Sequence, residues 1–100
     1  MINIIIKKSN VNYLFETKGH ANSAPHGEDL ICAAVSSIIT GGINAIKNPD
    51  NFVLKLDEGY SLIESKSSIS KDDEVVLETI EIQLKTIEES YPKFIKVTIQ

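Results

Sequence analysis

Ile2, Ile4 and Ile6 alternate with Asn3, Ile5 and Lys7 at the start of the chain. This two-residue period, rich in β-branched side chains, predicts a strand. Ser9-Asn10 supplies a turn. Val11, Tyr13 and Phe15 then alternate with Asn12, Leu14 and Glu16, which predicts a second strand paired with the first as a hairpin. That strand runs out at Lys18-Gly19-His20. Residues 21–28 carry turn formers and no hydrophobic period, so they read as a loop. Beyond them Ile31, Val35, Ile38, Ile39, Gly42 and Ile46 recur at spacings of three and four, the signature of a helix. Asp29 is placed to cap its start, and Asn48-Pro49 closes it. Gly41-Gly42 is unusual inside a helix, where each glycine costs up to about 1 kcal/mol relative to alanine. Either the helix frays near Thr40, or the glycines admit a closely approaching backbone.

The second half has a similar layout without a repeat of fixed period. Phe52, Leu54 and Leu56 predict a third strand, Asp57-Glu58-Gly59 a turn, and residues 60–64 its partner strand. A serine-rich loop follows at 65–68. Ser70-Lys71-Asp72-Asp73 resembles a capping box with Asp in the Glu position. Leu77, Ile80, Leu84, Ile87 and Tyr91 form one stripe of a second helix, which Pro92 ends. Glu78, Glu81, Glu88 and Glu89 read as its solvated face. Ile95, Val97 and Ile99 predict a last strand. The order is β-β-α-β-β-α-β, so the expected fold is α+β, a mostly antiparallel sheet packed with two helices. One domain spanning residues 1–100 is expected for 100 residues.

Composition narrows the function. The formal net charge is −4 and the sequence pI about 5.1, with 10 scattered Lys and Arg. No basic stripe with interleaved aromatics exists, which argues against direct nucleic-acid binding and suits a basic peptide better. The opening apolar run is short and is followed, not preceded, by its basic pair. That is unlike a signal peptide, and no stretch approaches the ~20 apolar residues of a membrane helix. With one cysteine there is no disulfide within the chain. A cytoplasmic protein with no membrane association is expected.

That cysteine is the sharpest candidate. With Asp29 as cap, Cys32 falls in the first helical turn, where free N–H groups carry roughly +0.5 charge. A thiolate is favoured there, and the same N–H groups suit a developing oxyanion. The plainer alternative is a small buried hydrophobe, since cysteine is often buried. His20 stands at the strand end that leads into the same loop, and a Cys–His pair can exchange a proton. His26 competes for the base role from mid-loop, where it is less well oriented. A metal site from His20, His26 and Cys32 matches no common zinc spacing, and no cofactor is implied. Asp29 either caps the helix or orients His20 as a third member. Ser36 lies one turn beyond Cys32 on the same side.

Gly19-His20-Ala21, followed by Gly27-Glu28-Asp29-Leu30-Ile31-Cys32-Ala33-Ala34-Val35-Ser36, resembles the bacterial ribosomal-processing cysteine protease family. The family pattern is Gly-His-Ala, a loop, then Gly-x-Asp, two apolar residues and Cys-Ala-Ala-Val-Ser. Asn44 also fits, while Lys18 and the additional His26 depart from the pattern. The resemblance implies a Cys–His endopeptidase with Cys32 as nucleophile and His20 as base. Asp29, Ser36 and Gly19 fall at supporting positions. Ala21, Asn22, Ser23, Ala24, Pro25, His26, Gly27 and Glu28 would form a substrate-gating loop. It further implies a homodimer that removes the N-terminal extension of large-subunit ribosomal protein L twenty-seven, cutting after an aromatic residue. The rival reading is a non-catalytic dimeric binding module for a ribosomal or other basic protein.

Overall fold

A computed structural model describes residues 1–10, 12–25 and 29–100. Its elements are β1 (Ile2–Lys8), β2 (Tyr13–Lys18), α1 (Leu30–Ala45), β3 (Phe52–Asp57), β4 (Tyr60–Ser65), α2 (Lys71–Ser90) and β5 (Ile95–Ile99), with a short 3-10 turn at Pro49–Asn51. The predicted order is found. Val11, assigned above to the second strand, lies outside the described residues. The five strands form one sheet in the order β3-β4-β2-β1-β5. Both hairpins and the β2–β4 pair are antiparallel; β5 returns beside β1 in parallel.

The register explains where the core sits. Ile4 faces Thr17 and Ile6 faces Phe15 across β1–β2, and Phe15 in turn faces Ile63 on β4. Cross-strand partners share a face, so these side chains, apart from Thr17, make one apolar surface. Val35 and Ile39 of α1, with Leu77, Ile80 and Leu84 of α2, complete the same buried cluster. The result is a two-layer α+β domain.

Several charged residues are more deeply used than their sequence pattern suggests. Glu81 was expected in solvent but is buried, accepting hydrogen bonds from Tyr13 Oη at 2.7 Å, Lys8 Nζ at 2.9 Å and Lys85 Nζ at 2.9 Å. Burial opposes its ionisation, but these donors outweigh it and lower its pKa to about 2. Glu88, also expected in solvent, reaches the outer side of β5 and accepts from Val97 N at 2.6 Å. The capping box is only half made. Ser70 Oγ accepts from Asp73 N at 3.2 Å, but the Asp73 carboxylate turns to the end of α1. There it accepts from Lys47 N at 2.6 Å, Asn48 N at 3.1 Å and Asn48 Nδ2 at 2.9 Å. Tyr91 leaves the α2 stripe: the helix stops at Ser90 ahead of Pro92, and Tyr91 is left exposed.

Gly41-Gly42 does not end α1, which runs on to Ala45. The two glycines differ. A Cβ on Gly42 would run into Ile80 Cδ1 and Cγ1 of α2, so the close neighbour is a side chain and not a backbone. A Cβ on Gly41 would meet nothing within 4 Å. Gly41→Ala is therefore expected to stabilise the fold by about 1 kcal/mol through helix propensity. Gly42→Ala is expected to destabilise it by roughly 1–2 kcal/mol, because buried Ile80 must shift from its packed position to admit the methyl group. Urea denaturation of both variants checks the opposite signs.

Candidate active site

The end of β2 is bent by backbone geometry that only glycine accepts easily. Gly19 has φ +101°, and a Cβ there would run into the Met1 carbonyl oxygen. Its N–H donates to Gly59 O at 2.9 Å, tying the strand end to the β3–β4 turn. His20 follows immediately, and its ring lies over that turn. A Cβ on Gly59, which has φ +72°, would stand 2.7 Å from His20 Nε2. Gly59 thus supplies both the turn and the space for the imidazole.

The next residue joins the two candidate elements. Ala21 N–H donates to Cys32 Sγ at 3.2 Å, so the residue after His20 sits on the sulfur. Ala21 was grouped with the gating loop, but it is 3% exposed and belongs to the core cluster. Its burial places it at the foot of the loop. Asn22 and Ser23 are exposed, with Asn22 at φ 56°, a conformation asparagine tolerates. His26, Gly27 and Glu28, the remaining candidates of that loop, lie outside the described residues.

Asp29 is the N-cap of α1. Its Oδ1 accepts from Ile31 N and Cys32 N, each at 3.0 Å. The same carboxylate accepts from Ser23 Oγ at 2.6 Å and Ser23 N at 2.8 Å, which staples the loop to the helix start. The Ser23 hydroxyl, then the Cys32 N–H, hold its carboxyl well below the usual carboxylate range. Among the described residues it makes no bond to His20, so the third-member geometry is not formed. The helix N–H groups expected to receive an oxyanion are also engaged: Ile31 and Cys32 by the Asp29 side chain, Ala33 by the Asp29 carbonyl at 3.0 Å.

These parts surround a cavity of about 520 Å³ between α1 and the sheet end. Gly19, His20, Asn22, Ala24, Asp29, Cys32 and Ser36 all line it. Cys32 is half-buried, and Ser36 and His20 are exposed. Asn44 is exposed on α1 and does not line the cavity. No hydrogen bond joins the His20 ring to Cys32 among the described residues; the contact is through the Ala21 backbone. Sequence reading missed Gly59, Thr17 and Ser61, which also border the cavity. Gly59 looked like an ordinary turn glycine, and the long-range pairing of β2 with β4 that brings Thr17 opposite Ser61 leaves no local signal.

The family model described as Cysteine protease Prp matches residues 1–96. The chain belongs to the Cysteine protease Prp family. Ribosomal processing cysteine protease Prp of Bacillus subtilis (strain 168) is 33% identical over 108 residues, covering 98% of this chain and 96% of the relative. The Prp of Mycoplasma genitalium is 35% identical over 85 residues, covering 80% of this chain and 81% of the relative. A crystal structure of an essential ribosomal processing protease Prp from S. aureus, in complex with a covalently linked product peptide, aligns over the whole of both chains. Its TM-score is 0.86 at 26% identity. As a Prp family member the chain is a cysteine protease, which sets the non-catalytic binding module aside.

Two outcomes test this construction. Gly59→Ala and Gly59→Asn both add a Cβ, but asparagine accepts positive φ more readily. Both variants should shift the His20 ring signals in an NMR spectrum, and Gly59→Ala should lower the melting temperature more. For Asp29 the carboxyl is depressed, so its contribution is complete above the ordinary carboxylate pKa of about 4 and is lost as pH falls through the lowered value. The amide shifts of Ser23, Ile31 and Cys32 should hold from neutral pH past about pH 4 and move only in stronger acid.

Proposed function

We propose that this chain is a Cys–His endopeptidase that removes the N-terminal extension of a large-subunit ribosomal protein, L twenty-seven, by cutting after an aromatic residue. The observation that carries the reading is the single cysteine of a cysteine protease chain, lying in the same cavity as His20. Cys32 is the nucleophile and His20 the base. The names of the Bacillus and Mycoplasma relatives support ribosomal processing, and the S. aureus complex supports a peptide as substrate.

The chemistry follows from the positions. Cys32 Sγ attacks the scissile carbonyl carbon while His20 takes the thiol proton. His20 then gives that proton to the leaving amine, and water hydrolyses the thioester to regenerate the thiol. The imidazole reaches the sulfur by turning off the Gly59 seat, since catalytic hydrogen bonds often tighten only with substrate present. The oxyanion forms on the attacked carbon, two bonds from Sγ. Ala21 N–H, which donates to the sulfur at 3.2 Å, is a donor beside the reacting atom that could shift to the oxyanion in place of the engaged helix N–H groups. Asp29 and Gly19 act as positioning residues, and Ser36 borders the cavity one helical turn past Cys32. Substrate gating belongs to the loop beyond the Ala21 anchor.

In this reading residues 1–100 form one protease domain, acting in the cytoplasm as a homodimer. No helix among the described residues is long and apolar enough to cross a membrane. The test is to mix the purified protein with the extended ribosomal protein and follow the shortened product by mass. Cys32→Ala should abolish cleavage, and His20→Ala should lower it by at least about 100-fold, the lower end of general acid–base effects. Cleavage at the normal rate by Cys32→Ala would refute the proposal.

A further inference from the structure

An oxyanion hole is usually a pair of donors. Beside the sulfur stands one, the Ala21 N–H. The first-turn N–H groups of Ile31, Cys32 and Ala33 are engaged by Asp29. A second donor therefore has to come from a side chain of the cavity wall, and the choice is narrow. Asp29, Asp57 and Glu58 line the cavity, but carboxylates repel an anion. Tyr60 Oη already donates to Glu16 Oε2 at 2.9 Å. Thr17 and Ser61 are buried in the sheet. Ser36 stands a full helical turn, about 5.4 Å, beyond Cys32 on α1. His20 is occupied as the base. What is left is Asn22, exposed and lining the same cavity as Cys32.

Asn22 is set apart by its mounting. Among the described residues it is the one non-glycine at positive φ, at 56°. Asparagine accepts that conformation, and residues held in it cluster at functional sites. Both neighbours are clamped to α1. Ala21 N–H donates to Cys32 Sγ at 3.2 Å, and Ser23 gives its N–H and its hydroxyl to the Asp29 carboxylate. The Asn22 carboxamide itself makes no hydrogen bond among the described residues, so its two N–H donors are free. Its Cα follows that of Ala21 by about 3.8 Å, which keeps it close to the sulfur. The oxyanion lies two bonds from that sulfur, within the swing of a side chain with two torsions. We propose that Asn22 Nδ2 donates to the developing oxyanion as the partner of Ala21 N–H, and is a further catalytic residue of this protease. The proposal rests on the peptidase reading above and adds the group that stabilises its tetrahedral intermediate. As Cys32 Sγ bonds to the scissile carbon, the carbonyl π electrons move onto oxygen. Nδ2–H bonds to that oxygen without transferring its proton. The contact relaxes when the amine leaves and the carbonyl re-forms. A donor aimed at charge that exists only in the transition state raises kcat and leaves ground-state binding alone.

Two variants separate the donor from the backbone that carries it. Asn22→Gly deletes the carboxamide and accepts positive φ freely, so the clamp keeps its shape. Asn22→Asp keeps the outline of the side chain and puts a repelling charge where the donor was. Cleavage of the extended ribosomal protein is followed by mass for both and for the wild type. In Asn22→Gly kcat should fall about 100-fold or more, the scale of losing one oxyanion donor, with KM nearly unchanged. Asn22→Asp should lose at least as much. Alkylation of Cys32 by iodoacetamide forms no oxyanion, so its rate in Asn22→Gly should match the wild type, as should the melting temperature. Cleavage by Asn22→Gly at the wild-type kcat would overturn the proposal and leave the peptidase standing. So would a change confined to KM, or a loss of cleavage matched by an equal loss of alkylation, which would place the effect on the thiol or the loop. If the wild type leaves the ribosomal protein intact, the peptidase reading fails and this inference falls with it.

Discussion

The hydrogen bond from Ala21 N–H to Cys32 Sγ is the contact on which the site depends. It joins the end of a strand to the start of a helix across a loop, and each side of it is fixed separately. On the strand side Gly19 bends the backbone past Met1 and is tied to Gly59, and Ala21 is buried in the core. On the helix side Asp29 holds the N–H groups of Ile31 and Cys32. The sulfur therefore occupies a position set by two rigid elements, while His20 projects between them toward solvent. Catalytic constellations work best when their supports are packed and hydrogen-bonded in this way.

Asp29 illustrates how one carboxylate resolves competing uses. Two uses were open to it from the sequence: capping the helix or orienting His20. The structure gives it capping and anchoring together, through Ser23 on one side and the first helical turn on the other. Those bonds consume the helix donors that a lone N-terminus would present to an oxyanion. The electrostatic help of the helix thus reaches the cavity only past an intervening negative charge.

Much of the fold was legible because hydrophobic period and turn chemistry agreed. The alternating isoleucines of β1, the Asp57-Glu58-Gly59 turn and the Asp29 cap each carry a local signal that the structure reproduces. The candidate pair was legible because the Gly-His-Ala and Cys-Ala-Ala-Val-Ser stretches are local too. What stayed hidden were consequences of strand order. Nothing near Glu81 announces that Tyr13 and Lys8, some seventy positions earlier, will arrive to bury it. Gly59 beside His20, and Thr17 opposite Ser61, likewise arise only once β2 lies against β4. The Gly41-Gly42 pair was ambiguous for the same reason: the partner that decides between the glycines is Ile80, on another helix.

The Glu88 carboxylate on the outer margin of β5 has a consequence for crowding. A sheet normally invites a neighbouring molecule to zip onto its bare margin, carbonyl to amide. At Val97 the amide is already taken by a side chain from the same molecule, and the arm of α2 occupies the lane a visiting strand would use. Ribbon-like stacking through this margin is thereby discouraged at high protein concentration.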